Sequence, residues 1–257
     1  MRDSTMKAAL RIGAVTASAA LALGAAGSAY AASPGGAKAS TSASAKSTKS
    51  AGRSATEQGK LTAAKNLAAS SIQSRLSTLH ALALAVQDSK FLTPDEKSAL
   101  GKKISSDISG LTMLQKKVSG ATTAAAVNAD ETAVVDDFRV FLLLVPQVRL
   151  TDALAAEADA ASTLQKADMA LSDLLAKQNN GGTSKEKSEL ADLHKQIAAA
   201  QAAIRDKIAM VLAIRPGPDA KAIETALAPA GAAVKTARTD LLKARDDAMA
   251  LRSSLKA

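Results

Sequence analysis

From about Glu57 to the end of the chain, apolar residues recur at alternating steps of four and three, with polar residues between them. That is the period of helices that bury one face. The first predicted helix spans 57–89, with Ile72, Leu76, Leu79, Ala83 and Val86 along its stripe. Thr93-Pro94-Asp95-Glu96 then reads as a start signal: Thr93 as cap, proline at the first helical position, and Glu96 placed to reach back. The second helix, 94–119, carries Leu100, Ile104, Ile108, Leu111 and either Leu114 or Val118 inward, and Gly120 is placed to end it.

Thr122 or Thr123 caps a third helix over 123–178, whose stripe begins Val134, Phe138, Phe141, Val145 and Val148. Pro146 inside it removes a backbone hydrogen bond and predicts a kink over 142–146, with a short strand over 140–145 as the competing reading. Asn179-Asn180-Gly181-Gly182 marks a loop. A fourth helix follows over 184–214, closed by Pro216-Gly217-Pro218.

The fifth helix, 219–256, has the most regular repeat: Ile223, Leu227, Ala230, Val234, Ala237, Leu241, Ala244, Ala248, Leu251 and Leu255. This is a coiled-coil seam that packs internally, against a partner protein or against a second copy. Pro229 predicts either a bend or a separate short helix before it. The expected fold is all-α: an elongated antiparallel helical bundle with coiled-coil-like packing.

The N-terminus follows a different pattern. Arg2, Lys7 and Arg11 precede an apolar run from Ile12 to Gly27, and Ala29-Tyr30-Ala31 supplies a small-x-small cleavage site, so 1–31 read as a secretory signal peptide. The run falls short of the roughly 20 residues of a transmembrane helix, so no membrane-spanning segment is expected. Residues 32–56, built of Ala, Ser, Thr, Gly and Lys, have too little apolar surface to order themselves and are expected to form a disordered linker.

Composition then narrows the function. The chain has no cysteine, which excludes disulfides, a lipidated cysteine, thiolate catalysis and cysteine-ligated zinc. Of the net charge of +9, the signal carries +2, the linker +4 and the remaining residues only +3. The helical part is thus nearly balanced, while the linker is basic enough to adhere to an anionic wall polymer. After the signal the only aromatics are Phe91, Phe138 and Phe141. So few stacking platforms argue against nucleic acid as a partner.

No constellation specifies a reaction, so no catalytic residue, metal ligand or cofactor is assigned. His80 and His194 lack the Glu-x-x-His spacing of a di-iron bundle. Asp130, Glu131, Asp136 and Asp137 offer carboxylates, but neighbours in sequence diverge around a helix, leaving only spaced pairs such as Asp130 with Asp137 to converge. Ser184-Lys185-Glu186-Lys187 has Ser-x-x-Lys spacing without its companion boxes. On the last helix, Lys235, Arg238, Asp240, Lys243, Arg245, Asp246 and Asp247 mix both signs, as a solvated face does.

The most distinctive segment runs from Asp137 to Leu150. It is apolar nearly all round and is expected to be the most buried part of the bundle, with Arg139 and Arg149 needing carboxylate partners or a path to water. Phe138, Phe141, Leu142, Val145 and Pro146 are the candidate lining of an apolar ligand groove at the kink. The Asp-aromatic-Arg-Val-aromatic run leading into Val145-Pro146, with the Ala/Lys/Arg/Asp-rich C-terminal helix, resembles uncharacterised secreted all-helical (coiled-coil-like) proteins of actinobacteria over about 60–250. Phe138 and Phe141 stand where tyrosine is usual in that group. The resemblance implies an extracellular helical protein and transfers no catalytic residue.

Two functions follow as expectations. The leading one is a secreted, non-enzymatic protein acting through helix-mediated interaction at or near the cell envelope. The alternative is a carrier of a small apolar or lipid ligand in a groove near Pro146.

Overall fold

A computed structural model describes residues 48–178 and 181–255. The expected signal peptide and most of the expected linker lie outside these residues. The described residues are all-α, without a strand, in seven helices: α1 (Thr48–Asp88), α2 (Pro94–Gly120), α3 (Ala124–Asp136), α4 (Val145–Ala176), α5 (Ser184–Ile204), α6 (Lys207–Ala213) and α7 (Ala220–Ser254). A π-helical turn, Val140–Leu144, joins α3 to α4. No helix among the described residues is long and apolar enough to cross a membrane.

The first helix starts at Thr48 rather than at 57. Extending a helix already anchored at Leu61 adds one hydrogen bond per residue without a new nucleus, and the alanines there are good helix formers. The second start signal works as expected. Glu96 N–H donates to Thr93 Oγ1 at 3.3 Å and Thr93 N–H to Glu96 Oε2 at 2.8 Å. Thr183 and Glu186 form the same reciprocal pair at the start of α5, at 3.2 and 2.8 Å. The pattern Thr-x-x-Glu-Lys-Ser-x-Leu stands at 93–100 and again at 183–190.

Each box opens the middle helix of a three-helix unit. In the first, α1, α2 and α3 pack together around Ile72, Leu79, Leu100, Ile104, Leu111, Val127 and Val134. Lys65 Nζ reaches Ser119 O and Lys97 Nζ reaches Gln87 O, so α1 and α2 run antiparallel. In the second, α4, α5 and α7 pack around Ala161, Leu171, Leu193, Ile197, Ala200, Ala237, Ala244 and Leu251. The α7 seam is buried from Ile223 to Leu251, and Pro229 lies inside one continuous helix. Ala230, Ala237 and Ala244 are fully buried, where larger side chains would hold the helix axes apart.

The two long expected helices are each broken in the structure. The third expected helix turns not at Pro146 but at Arg139, which takes a left-handed backbone conformation (φ 41). Pro146 stands within the first turn of α4. The widened turn ahead of it, where Leu144 and Val145 N–H reach back five residues to Arg139 and Val140 O, spares the proline ring the usual clash with the preceding turn. The competing strand reading of 140–145 gives way to helix. The fourth expected helix breaks at Asp206, also left-handed (φ 60), which separates α5 from α6.

Buried polar residues fasten the helices to one another. Gln147, 1% exposed, donates through Nε2 to Val211 O (2.8 Å) and Ile214 O (2.9 Å). Arg139 holds the proline loop by donating to Gly217 O and Pro218 O, and it pairs with Asp136 at 2.8 Å. Glu157 pairs with Arg238 across α4 and α7, and Asp130 with Lys117 across α3 and α2.

Candidate functional site

The break at Arg139 and the π turn shift the helical phase by part of a turn, and this decides where the candidate groove residues go. The buried positions become Val140, Leu143, Leu144, Gln147 and Val148. Phe141, expected in the core stripe, is instead 51% exposed. The segment is therefore not the most buried part of the chain but a junction with one apolar side open to solvent.

Phe141 and Val145 line a groove of about 510 Å³ between the last turns of α1 and the start of α4. From α1 come Thr78, Ala81, Leu82 and Ala85; Leu92 enters from the loop, and Val148, Arg149 and Asp152 from α4. The groove is open to solvent along one side, its volume lies within the range of small-molecule sites, and most of its lining residues are apolar, with Thr78, Arg149 and Asp152 the polar ones.

The remaining candidates go elsewhere. Phe138 packs over α2, so closely that a methyl group on Gly110 would lie 2.5 Å from its ring, and it lines a separate hollow of about 370 Å³ with Met113 and Leu114. Leu142 packs on the cluster around Leu154, Val211 and Ile223. Pro146 is half-buried and lines neither hollow. Two of the five candidate residues thus share one site. The α1 contribution went unread because Ala81 and Ala85, one turn apart, flank the apolar stripe rather than belong to it. Small residues at that spacing beside a stripe were the available signal.

The polar edge is ordered. The Ser89 hydroxyl donates to Asp152 Oδ1 and accepts from Phe91 and Leu92 N–H at 3.2 Å, which ties the α1–α2 loop to α4. The Arg75 guanidinium stacks on Phe141, 5.4 Å from the ring centroid, and Nη1 donates to Ser71 Oγ at 2.6 Å. Burial holds Arg75 below its ordinary pKa, with Glu131 offsetting part of that shift.

The other sequence-level candidates do not converge. Asp130 and Asp136 face Lys117 and Arg139 respectively, while Asp137 edges the hollow beside Phe138. His80 is exposed. His194 Nε2 lies 2.7 Å from Asp168 Oδ2 across α5 and α4; burial raises the Asp168 pKa, and His194 opposes that rise. Among the described residues, no group of three His, Asp or Glu side chains is placed to hold a metal ion. No protein-family model, curated protein or solved structure matches the chain.

Proposed function

We propose that the chain is a secreted, non-enzymatic binding protein, working at or near the cell envelope, that holds a small apolar or lipid-like molecule in the groove between α1 and α4. The observation that carries this reading is the half-exposed Phe141 over a groove whose floor is Leu82, Val145 and Val148. A phenylalanine left open at such a site loses stabilisation that a bound apolar molecule would restore. Of the buried polar residues, Asp130, Gln147, Glu157, Asp168 and Glu186 are engaged in tying helices or caps together, while the Thr151 hydroxyl has no partner.

Helix-mediated contact with a partner, the leading expectation from the sequence, draws less support. The C-terminal seam is filled by α4 and α5 of the same chain, so a protein partner or second copy would have to use another face. Adhesion of residues 32–56 to an anionic wall polymer stays compatible with the groove reading.

Titration with Nile red, a neutral apolar fluorophore, tests the proposal. Saturable binding of about one probe per chain is expected, lost in Ala85→Trp, which fills the groove from the exposed side of α1, and retained in Ala158→Trp on the exposed face of α4. Equal binding by the two variants, or no binding by the parent chain, would refute it.

A further inference from the structure

We propose that the molecule held in this groove is a single-chain anionic amphiphile, with its apolar tail along Leu82, Phe141 and Val145 and its head group at Arg149. The inference rests on the groove reading above and adds the sign and position of the head group.

The argument is one of charge complementarity. Arg149 lines the groove and is exposed, and its guanidinium makes no hydrogen bond or ion pair among the described residues. Its nearest formal counter-charge in sequence, Asp152, stands one turn on but is engaged by the Ser89 hydroxyl in closing the α1–α2 loop. A second guanidinium, Arg75, stacks on the Phe141 ring that lines the groove; its Nη1 is taken up by Ser71, and its Nε is buried without a partner. Of the two charged residues that line the groove, Asp152 is thus hydrogen-bonded while Arg149 is unpaired, and the Arg75 guanidinium on the Phe141 ring is offset in part by Glu131. A cationic head placed beside Arg149 would meet a like charge. A neutral head would leave Arg149 as it is, whereas a carboxylate would meet a planar fork of donors suited to bidentate pairing.

Position points the same way. Arg149 lies one turn beyond Val145 and beside Val148 on the same side of α4, so a head group paired with it leaves the tail to run back over Val145 towards Phe141. An amphiphile so placed covers the exposed Phe141 ring and keeps its charge at the rim, in water.

Calorimetric titration of the full chain with three twelve-carbon probes below their micelle concentrations separates the possibilities: dodecanoate, dodecan-1-ol and dodecyltrimethylammonium. Dodecanoate is expected to bind roughly fivefold more tightly than the alcohol, the scale of one solvent-exposed ion pair, and the cation more weakly than either. In Arg149→Gln the gap between dodecanoate and the alcohol should close, and Arg149→Lys should keep part of it. Ala85→Trp should abolish binding of all three while far-UV circular dichroism stays helical, and Ala81→Trp provides a second block from the same exposed side of α1. Equal binding of acid and alcohol, an unchanged preference in Arg149→Gln, or preference for the cation would overturn the head-group assignment and leave the groove standing. No binding of any probe would overturn both.

Discussion

The attachment of α6 to α4 depends on Gln147, and its replacement yields a magnitude that follows from the structure. The side chain is 1% exposed, and its amide is the donor to both Val211 O and Ile214 O. Each carbonyl has another donor: Ile214 N–H on Val211 O at 3.2 Å, and Lys103 Nζ on Ile214 O at 3.2 Å. Gln147→Met keeps the volume and removes both amide bonds without orphaning either carbonyl, so the expected cost is that of two ordinary hydrogen bonds, about 2 kcal/mol. With a urea m-value of about 2 kcal/mol/M, this lowers the denaturation midpoint by about 1 M. Gln147→Glu sets a buried carboxylate against two carbonyl oxygens and should cost more at neutral pH than at about pH 4, where the protonated acid donates one bond. Urea denaturation followed by circular dichroism at both pH values measures this. A Met variant within about 0.5 kcal/mol of the parent, or a Glu variant with no pH dependence, would refute the assignment of Gln147 as the fastening of α6.

Two further outcomes follow from other positions. A Cβ on Gly110 would lie 2.5 Å from Phe138 Cε1, whereas one on Gly101 meets nothing within 4 Å. Gly110→Ala should therefore destabilise by about 1–3 kcal/mol and Gly101→Ala stabilise by roughly 0.5–1 kcal/mol, read from thermal melts. Burial raises the Asp107 pKa from 3.8 to about 6, with Lys103 opposing. The folded chain thus keeps a proton that the unfolded chain has released, and stability falls as pH rises from about 4 to about 6. Discounted for partial exposure, Asp107→Asn should stabilise by about 1 kcal/mol above that window and match the parent near pH 3.5, as measured by urea midpoints across pH.

What the sequence disclosed follows the range over which its signals act. The Thr93 box, the Gly181-Gly182 turn and the α7 seam are local patterns with local causes, and each stands where expected. The second box at Thr183 is just as local, but its likeness to the first becomes meaningful only once both are seen to open the middle helix of a unit. The breaks at Arg139 and Asp206 were not legible, because neither residue type favours a left-handed backbone strongly enough to announce it. Each is fixed by long-range contacts: Arg139 by carbonyls of Gly217 and Pro218, and the short α6 after Asp206 by Gln147 and Val211 packing. Because a helical stripe is read by phase, one unforeseen break moved Phe141 from the core to the surface and divided the five candidate residues between four surroundings.

The same break accounts for the groove. Within the first unit α1 is covered by α2 and α3, but α3 ends at Asp136 while α1 continues to Asp88, and the final turns of α1 meet the start of α4 instead. The left-handed Arg139 and the π turn lead the chain away to join the second unit, and they leave small α1 residues facing Phe141 and Val145 with space between. Arg139, which holds the 217–218 loop, and Gln147, which ties α6 to α4, flank the π turn that carries this change of phase. Tight anchoring of the 214–218 loop and an accessible apolar groove are two consequences of one change of helical phase.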